Sequence, residues 1–152
     1  MATIQEHLRL AKRLTPKNLE KNLFDSIRAL ESVILKLNEE QLDNSVTATD
    51  APIFSSKRGR GTYSRATEIL SGGRKKEGDP YNLFNTGAFR NSLFINVNNK
   101  EAIFGSLDPK TPTLIDDYGI NILGLNDENL TKVVKGQLLP MHQQYIRKTF
   151  GI

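Results

Sequence analysis

The 152-residue chain contains no cysteine and no tryptophan, and its two histidines, His7 and His142, lie far apart in sequence. Without thiols it forms no disulfide, and thiolate zinc sites, cysteine nucleophiles and Cys-x-x-Cys redox motifs are excluded. Neither histidine has a partner at the i+4 spacing of a helical metal site, so both read as surface or interface residues. Gly-x-Ser-x-Gly, the turn that presents a nucleophilic serine, is also absent. No apolar run approaches the roughly 20 residues of a membrane-spanning helix, and Met1 to Glu6 lack the charged and apolar regions of a secretion signal. These absences lead us to expect a soluble, cytoplasmic protein with no membrane contact, no catalytic set, no cofactor and no metal.

The charge that is present is unevenly placed. Lys57, Arg58, Arg60, Arg65, Arg74, Lys75 and Lys76 stand against the single acid Glu68, which gives residues 57–76 a charge of +6; the total of +4 leaves −2 elsewhere. A chain this long buries roughly 68–70% of its unfolded surface, so residues 1–152 are expected to form one domain. Three parts are legible within it: a helical part over 1–42, a basic loop excursion over 43–82, and a hairpin with a terminal helix over 83–152.

Thr3 and Glu6 have the spacing of a capping box, and Ile4, Leu8 and Ala11 follow at helical intervals. Pro16 ends that helix, and Thr15 caps the next with Pro16 at its first position. From Pro16 to about Leu42, Leu19, Leu23, Ile27, Leu30, Ile34 and Leu37 draw one apolar stripe, which predicts a single long helix. Phe24, Val33 and Leu35 widen the stripe toward a second neighbour. Over 43–82, Asp, Asn, Ser, Thr, Gly and Pro dominate, which predicts a mobile loop with short strands near Ile53-Phe54 and Tyr63 and one helical turn over Arg65–Leu70.

Ser92 to Val97 and Glu101 to Ser106 read as two strands around Asn98-Asn99-Lys100. Thr113 is the expected cap of a helical turn that Gly119 stops in a left-handed conformation. Asn126, followed by Asp127 and Glu128, caps a terminal helix reaching about Lys148, with Leu130, Val133, Val134, Leu138 and Met141 on its apolar face. Pro140 should kink or divide this helix near Leu139. The resulting fold class is α+β: a small antiparallel sheet packed by a long N-terminal helix and a C-terminal helix, with a long basic loop.

The basic segment has two readings. Clustered Lys and Arg neutralise phosphate, with Tyr63 available to stack on a base; alternatively, a flexible arm orders against an acidic surface of a neighbouring subunit. The second is preferred, because one aromatic is too few for a stacking platform. Gly72-Gly73-Arg74-Lys75-Lys76 lacks the Walker spacing and has no apolar strand before it. Asp116 and Asp117, adjacent and therefore pointing apart, read as solvated acids near Gly119 and not as metal ligands.

Thr86-Gly87-Ala88-Phe89-Arg90-Asn91-Ser92 precedes the first strand, Tyr118-Gly119 closes a loop, and Leu123-Gly124-Leu125 leads into the capped terminal helix. In this order the elements resemble the virion-morphogenesis family of tailed bacteriophages, which covers tail-completion and head-to-tail joining proteins. The match spans roughly residues 83–150. The resemblance implies fold-specifying roles for Thr86, Gly87, Phe89, Ser92, Tyr118, Gly119, Leu123, Gly124 and Leu125. It further implies a cyclic homo-oligomer at the neck or tail, portal or adaptor and tail proteins as partners, DNA passing through the ring, and a place in the virion. Lys57, Arg58, Arg60, Tyr63, Arg65, Arg74, Lys75 and Lys76 are the candidates for contact with DNA or a neighbouring subunit, and Phe24 and Leu35 for subunit contact. Deletion of 55–78 is then expected to spare the isolated fold. The competing reading is a small basic DNA- or RNA-binding protein.

Overall fold

The computed structural model describes residues 3–98 and 100–152. Its N-terminal part follows the caps. Helix α1, Ile4–Ala11, opens on the reciprocal box, in which the Glu6 amide donates to Thr3 Oγ1 (3.3 Å) and the Thr3 amide to Glu6 Oε2 (2.7 Å). Helix α2, Pro16–Ala29, starts with Thr15 Oγ1 accepting the Asn18 amide. The single long helix expected next is instead two, since Leu30 leaves helical geometry (φ −97°, ψ 5°) and α3 runs from Glu31 to Asp43. No Gly or Pro causes the break. One turn before it, Ser26 Oγ bonds back to the Asn22 carbonyl (2.8 Å), a contact that bends helices. One residue after it, the Glu31 carboxylate accepts the Ile95 amide (3.0 Å), so the bend delivers a side chain to the sheet edge.

Helix α5, Ala88–Asn91, leads into strands β1, Leu93–Val97, and β2, Ala102–Ser106, which pair antiparallel with Leu93 opposite Ser106 and Val97 opposite Ala102. Asn98 Oδ1 accepts the amides of Lys100 and Glu101 and so closes the turn; Asn99, also assigned to that turn, lies outside the described residues, as do Met1 and Ala2. Helix α6, Thr111–Tyr118, begins two residues before the predicted Thr113 cap, with Pro112 in its first turn. Gly119 does end it at positive φ (87°), but with extended ψ (159°) in place of the left-handed turn expected.

Helices α7, Asp127–Val133, and α8, Leu139–Phe150, are joined by one wide π turn over Val134–Leu138, which ends two residues before Pro140. Proline lacks a donor and crowds the carbonyl four residues back, and the wider turn makes room for its ring without ending the rod. Of the expected apolar face, Val133 and Leu138 are buried, while Leu130 and Val134 face outward.

Two apolar clusters form the interior. Leu30, Ile34, Ile95, Val133 and Leu138 join α3, β1 and the terminal helices, while Leu42, Ile53, Tyr63, Tyr81, Phe89, Leu93 and Ile122 form the other. Full burial of one such side chain is worth about 1.5–3 kcal/mol. Three members of the second cluster come from residues 43–82, so the basic excursion is not the free loop the composition suggested. It is folded back by the isolated bridges Val46–Pro52, Ser55–Arg60 and Thr62–Pro80, without the strands expected near Ile53 and Tyr63. Helix α4, Arg65–Leu70, does appear where expected, capped by Ser64. Among the described residues no helix is long and apolar enough to cross a membrane.

Candidate functional site

Residues singled out in three distant segments meet at one cavity of about 200 Å³. Its lining includes Tyr63 and Lys75 from the basic segment, Thr86, Gly87 and Phe89, and Asp108, Lys110 and Tyr118. The backbone reaches this arrangement through Gly87, whose φ of 85° an L side chain rarely adopts. A Cβ there would stand 3.3 Å from Asn91 Nδ2 and 3.5 Å from the Phe84 ring. Gly87→Ala is therefore expected to lower stability by about 1–2 kcal/mol, measured by urea unfolding, without abolishing the cooperative transition.

Phe89 reaches the core as expected. Ser92 sits one residue before β1, where its hydroxyl donates to the Phe89 carbonyl (2.9 Å) and meets the Ser106 hydroxyl (2.7 Å), tying α5 to the end of β2. The Tyr81 ring stands edge-on between Tyr63 (4.8 Å) and Tyr118 (5.3 Å).

The cavity sets two phenols, Tyr63 and Tyr118, beside the Lys75 ammonium. Burial pushes the Tyr118 phenol up to about 12, and burial likewise raises Tyr63, so both hydroxyls stay neutral at physiological pH. Tyr63 is in the core, with its hydroxyl donating to Asn82 Oδ1 (3.0 Å), so the base-stacking role considered for it is overturned. Lys75 Nζ lies 4.8 Å above the Tyr63 ring, a cation–π contact, and burial followed by the charge of Arg74 holds its ammonium below the ordinary lysine value. Among the described residues, no group of three His, Asp or Glu side chains converges to hold a metal ion.

The rest of the basic segment divides by partner. Lys57 Nζ pairs with Asp116 Oδ2 (2.6 Å), and Arg58 Nη1 with Asp117 Oδ2 (2.5 Å). Asp117 is not the solvated acid expected: it is 6% exposed and also accepts from Ser55 Oγ (2.5 Å) and the Lys57 amide (3.2 Å). These two pairs fasten the excursion to α6. Arg60, Arg65, Arg74 and Lys76 remain exposed and make no ion pair among the described residues. Between Arg65 and Arg74, Ile69 and Leu70 protrude at 71% and 87% exposure.

Leu123-Gly124-Leu125 serves as a junction between the two clusters, with Leu123 packed on one and Leu125 on the other. Gly124 adopts φ 115°, and its carbonyl accepts from Asn38 Nδ2 (2.9 Å) and Gln41 Nε2 (3.1 Å). Gln41 Oε1 in turn accepts from the Asn126 amide (2.8 Å) and Asn129 Nδ2 (2.9 Å), so one side chain of α3 positions the start of α7. Sequence reasoning gave no role to Asn38, Gln41 or Arg90, and it read Asp117 as solvated where the fold buries it. Asn38 and Gln41 carried a usable signal, because they fall four and seven residues after Ile34, on the buried stripe itself. Arg90, buried against Asp43, the Asn82 carbonyl and the Phe84 ring, carried none.

Compared with known proteins, the chain matches no protein-family model, no curated sequence and no solved structure.

Proposed function

We propose that the chain is a structural protein of a tailed bacteriophage particle, one that forms or completes a ring at the head-to-tail connector, the neck or the tail. Its work is assembly, its partners are further copies of itself and the portal, adaptor or tail proteins beside it, and its place is the virion. The order of the Thr86–Ser92, Tyr118–Gly119 and Leu123–Leu125 elements supports the family reading, together with a hairpin and a terminal helix capped by Asn126; the division of that helix near Pro140 departs from the family pattern.

The observation that carries an assembly role over a nucleic-acid role is the tip of the basic excursion. Ile69 and Leu70 are the exposed apolar pair at the end of α4, and the exposed cations Arg65, Arg74 and Lys76 flank them along the chain. An apolar centre with a charged rim is the anatomy of a protein contact, whereas phosphate recognition needs the cations without the two aliphatic side chains. Lys57, Arg58, Lys75 and Tyr63, four of the eight residues offered for DNA contact, are instead engaged in ion pairs or packing.

The test is an electron micrograph and a sedimentation profile of the purified protein, alone and with Ile69→Glu/Leu70→Glu. Ring-shaped or higher-order species from the wild type, lost in the double variant at unchanged melting temperature, are the expected result. The competing nucleic-acid reading draws on Arg60, Arg65, Arg74 and Lys76. It would prevail if the protein formed no such species and bound duplex DNA with an affinity falling about 0.9 log units per phosphate contact per log unit of salt.

A further inference from the structure

The two edges of the hairpin are treated differently. The Asn98 amide bonds to the Glu101 carbonyl and the Leu107 amide to the Ser92 carbonyl, so in the observed register Glu101, Ile103, Gly105 and Leu107 turn their backbone groups toward β1. On the outer edge of β1, the Ile95 amide is taken by Glu31 and the Val97 carbonyl by Arg28 Nη2 (3.0 Å). On the outer edge of β2, Ala102, Phe104 and Ser106 present amides and carbonyls for which no partner occurs among the described residues. Open edges are ordinarily guarded by lysine, proline or a bulge. Residues 102–107 contain none of these, and Ile103 and Leu107 stand 48% and 77% exposed beside the edge.

We infer that β2 is a pairing edge whose occupant is β2 of a second copy of this chain, added antiparallel about a two-fold axis at Phe104. Charge selects both the occupant and the register. With Phe104 on the axis, Ala102 faces Ser106 of the other copy, which forms about six main-chain hydrogen bonds, and Lys100 falls opposite Asp108 twice. Centring one residue later sets Lys100 against Lys110; centring one residue earlier places Asn98 opposite Asp108 and shortens the bonded overlap. In the selected register Ile103 lies across from Gly105 of the other copy, beside the Phe94 ring that covers that glycine: a Cβ at Gly105 would come within 2.5 Å of Phe94 Cζ.

The contact is isologous, so it joins two copies and stops. It uses none of the α4 residues and does not rest on the ring reading; it states how the free subunit satisfies this edge.

Sedimentation equilibrium of the full chain is expected to show dimers. Lys100→Glu and Asp108→Lys, each placing like charges across the axis, are expected to weaken dimerisation at least tenfold, and the double variant Lys100→Glu/Asp108→Lys to restore it within about threefold. Ile69→Glu/Leu70→Glu should lose higher-order species and keep the dimer, which separates this contact from the ring contact. A wild type that stays monomeric up to 100 μM-scale concentration overturns the pairing, and a double variant no better than the single ones overturns the register.

Discussion

Removing residues 55–78 is expected to abolish cooperative unfolding. Composition alone argues the opposite, since glycine, serine and seven cations describe a segment that folds without burying much. The segment nevertheless contains Tyr63, a core residue in edge contact with Tyr81, and Ser55, which is fully buried. Truncating a buried aromatic side chain costs about 3–5 kcal/mol, and the deletion also leaves Asp117 without its hydroxyl, amide and guanidinium partners in a buried position. An unpaired buried carboxylate costs several kcal/mol more, and whole-domain stability is about 5–15 kcal/mol. Thermal melts followed by far- and near-ultraviolet circular dichroism give the answer: a single sigmoidal transition in the deletion variant would refute the expectation. A milder form, Tyr63→Ala, should keep the transition and shift its midpoint down by about 5–15 °C.

The second large effect belongs to Asp117. Asp117→Asn keeps the shape but removes the charge and turns one acceptor into a donor facing Ser55 and Arg58. Asp117→Ala leaves the buried Ser55 hydroxyl without an acceptor for its proton, although its oxygen still accepts the Arg58 amide (3.1 Å), and leaves the Lys57 amide unpaired. Each orphaned group costs about 1–3 kcal/mol. Arg58 is more than half exposed, so its share is small after solvent screening. The expected loss for Asp117→Ala is about 2–4 kcal/mol. Asp116→Asn serves as the control, because its carboxylate is largely exposed and its pair with Lys57 lies in solvent; its melting temperature should match the wild type.

The same site gives a pH dependence whose direction is fixed. Burial opposes ionisation of Asp117, but the Ser55 hydroxyl, the Lys57 amide and the Arg58 guanidinium together outweigh it and hold the carboxyl below its ordinary value of 3.8. A depressed native value means that the unfolded chain takes up the proton first. The stabilisation is therefore complete above pH 3.8 and is lost as pH falls below that value through the native one. Wild type should lose stability steeply in this acid range, and Asp117→Asn, already without the charge, less so. Equal slopes for the two proteins would remove Asp117 as the cause.

Much of this was legible because it is local. A Thr three residues before Glu6, a Thr before Pro16 and an Asn before two acids each satisfy free amides within their own helix, so Thr3, Thr15 and Asn126 cap as read. The hairpin, the turn at Gly87 and the division near Pro140 depend likewise on dihedral limits of one or two residues. The excursion was misread for the opposite reason. Its polar residues are numerous, but Ile53, Tyr63 and Tyr81 are spaced by no helical or strand period, and only the chain's return places them against Leu42 and Phe89. The break at Leu30 is equally invisible, since no propensity marks it and its use, bringing Glu31 to the Ile95 amide, lies 64 residues away.

The candidate cavity shows the same division. Thr86, Gly87 and Tyr118 read as turn residues and Lys75 as a member of a charge cluster, each from its neighbours in sequence, and nothing local brings them to one cavity. The α+β class, the caps and the hairpin follow from the order of residues, because short-range sterics and hydrogen bonds decide them, and the absence of thiol chemistry follows from composition. Folding alone settles which cations lack an ion pair and that β2 keeps an open edge among the described residues, and that Asp117 is buried. Those properties belong to pairs of groups distant in sequence, and the burial that fixes their partners and charge states exists only once the chain has closed on itself.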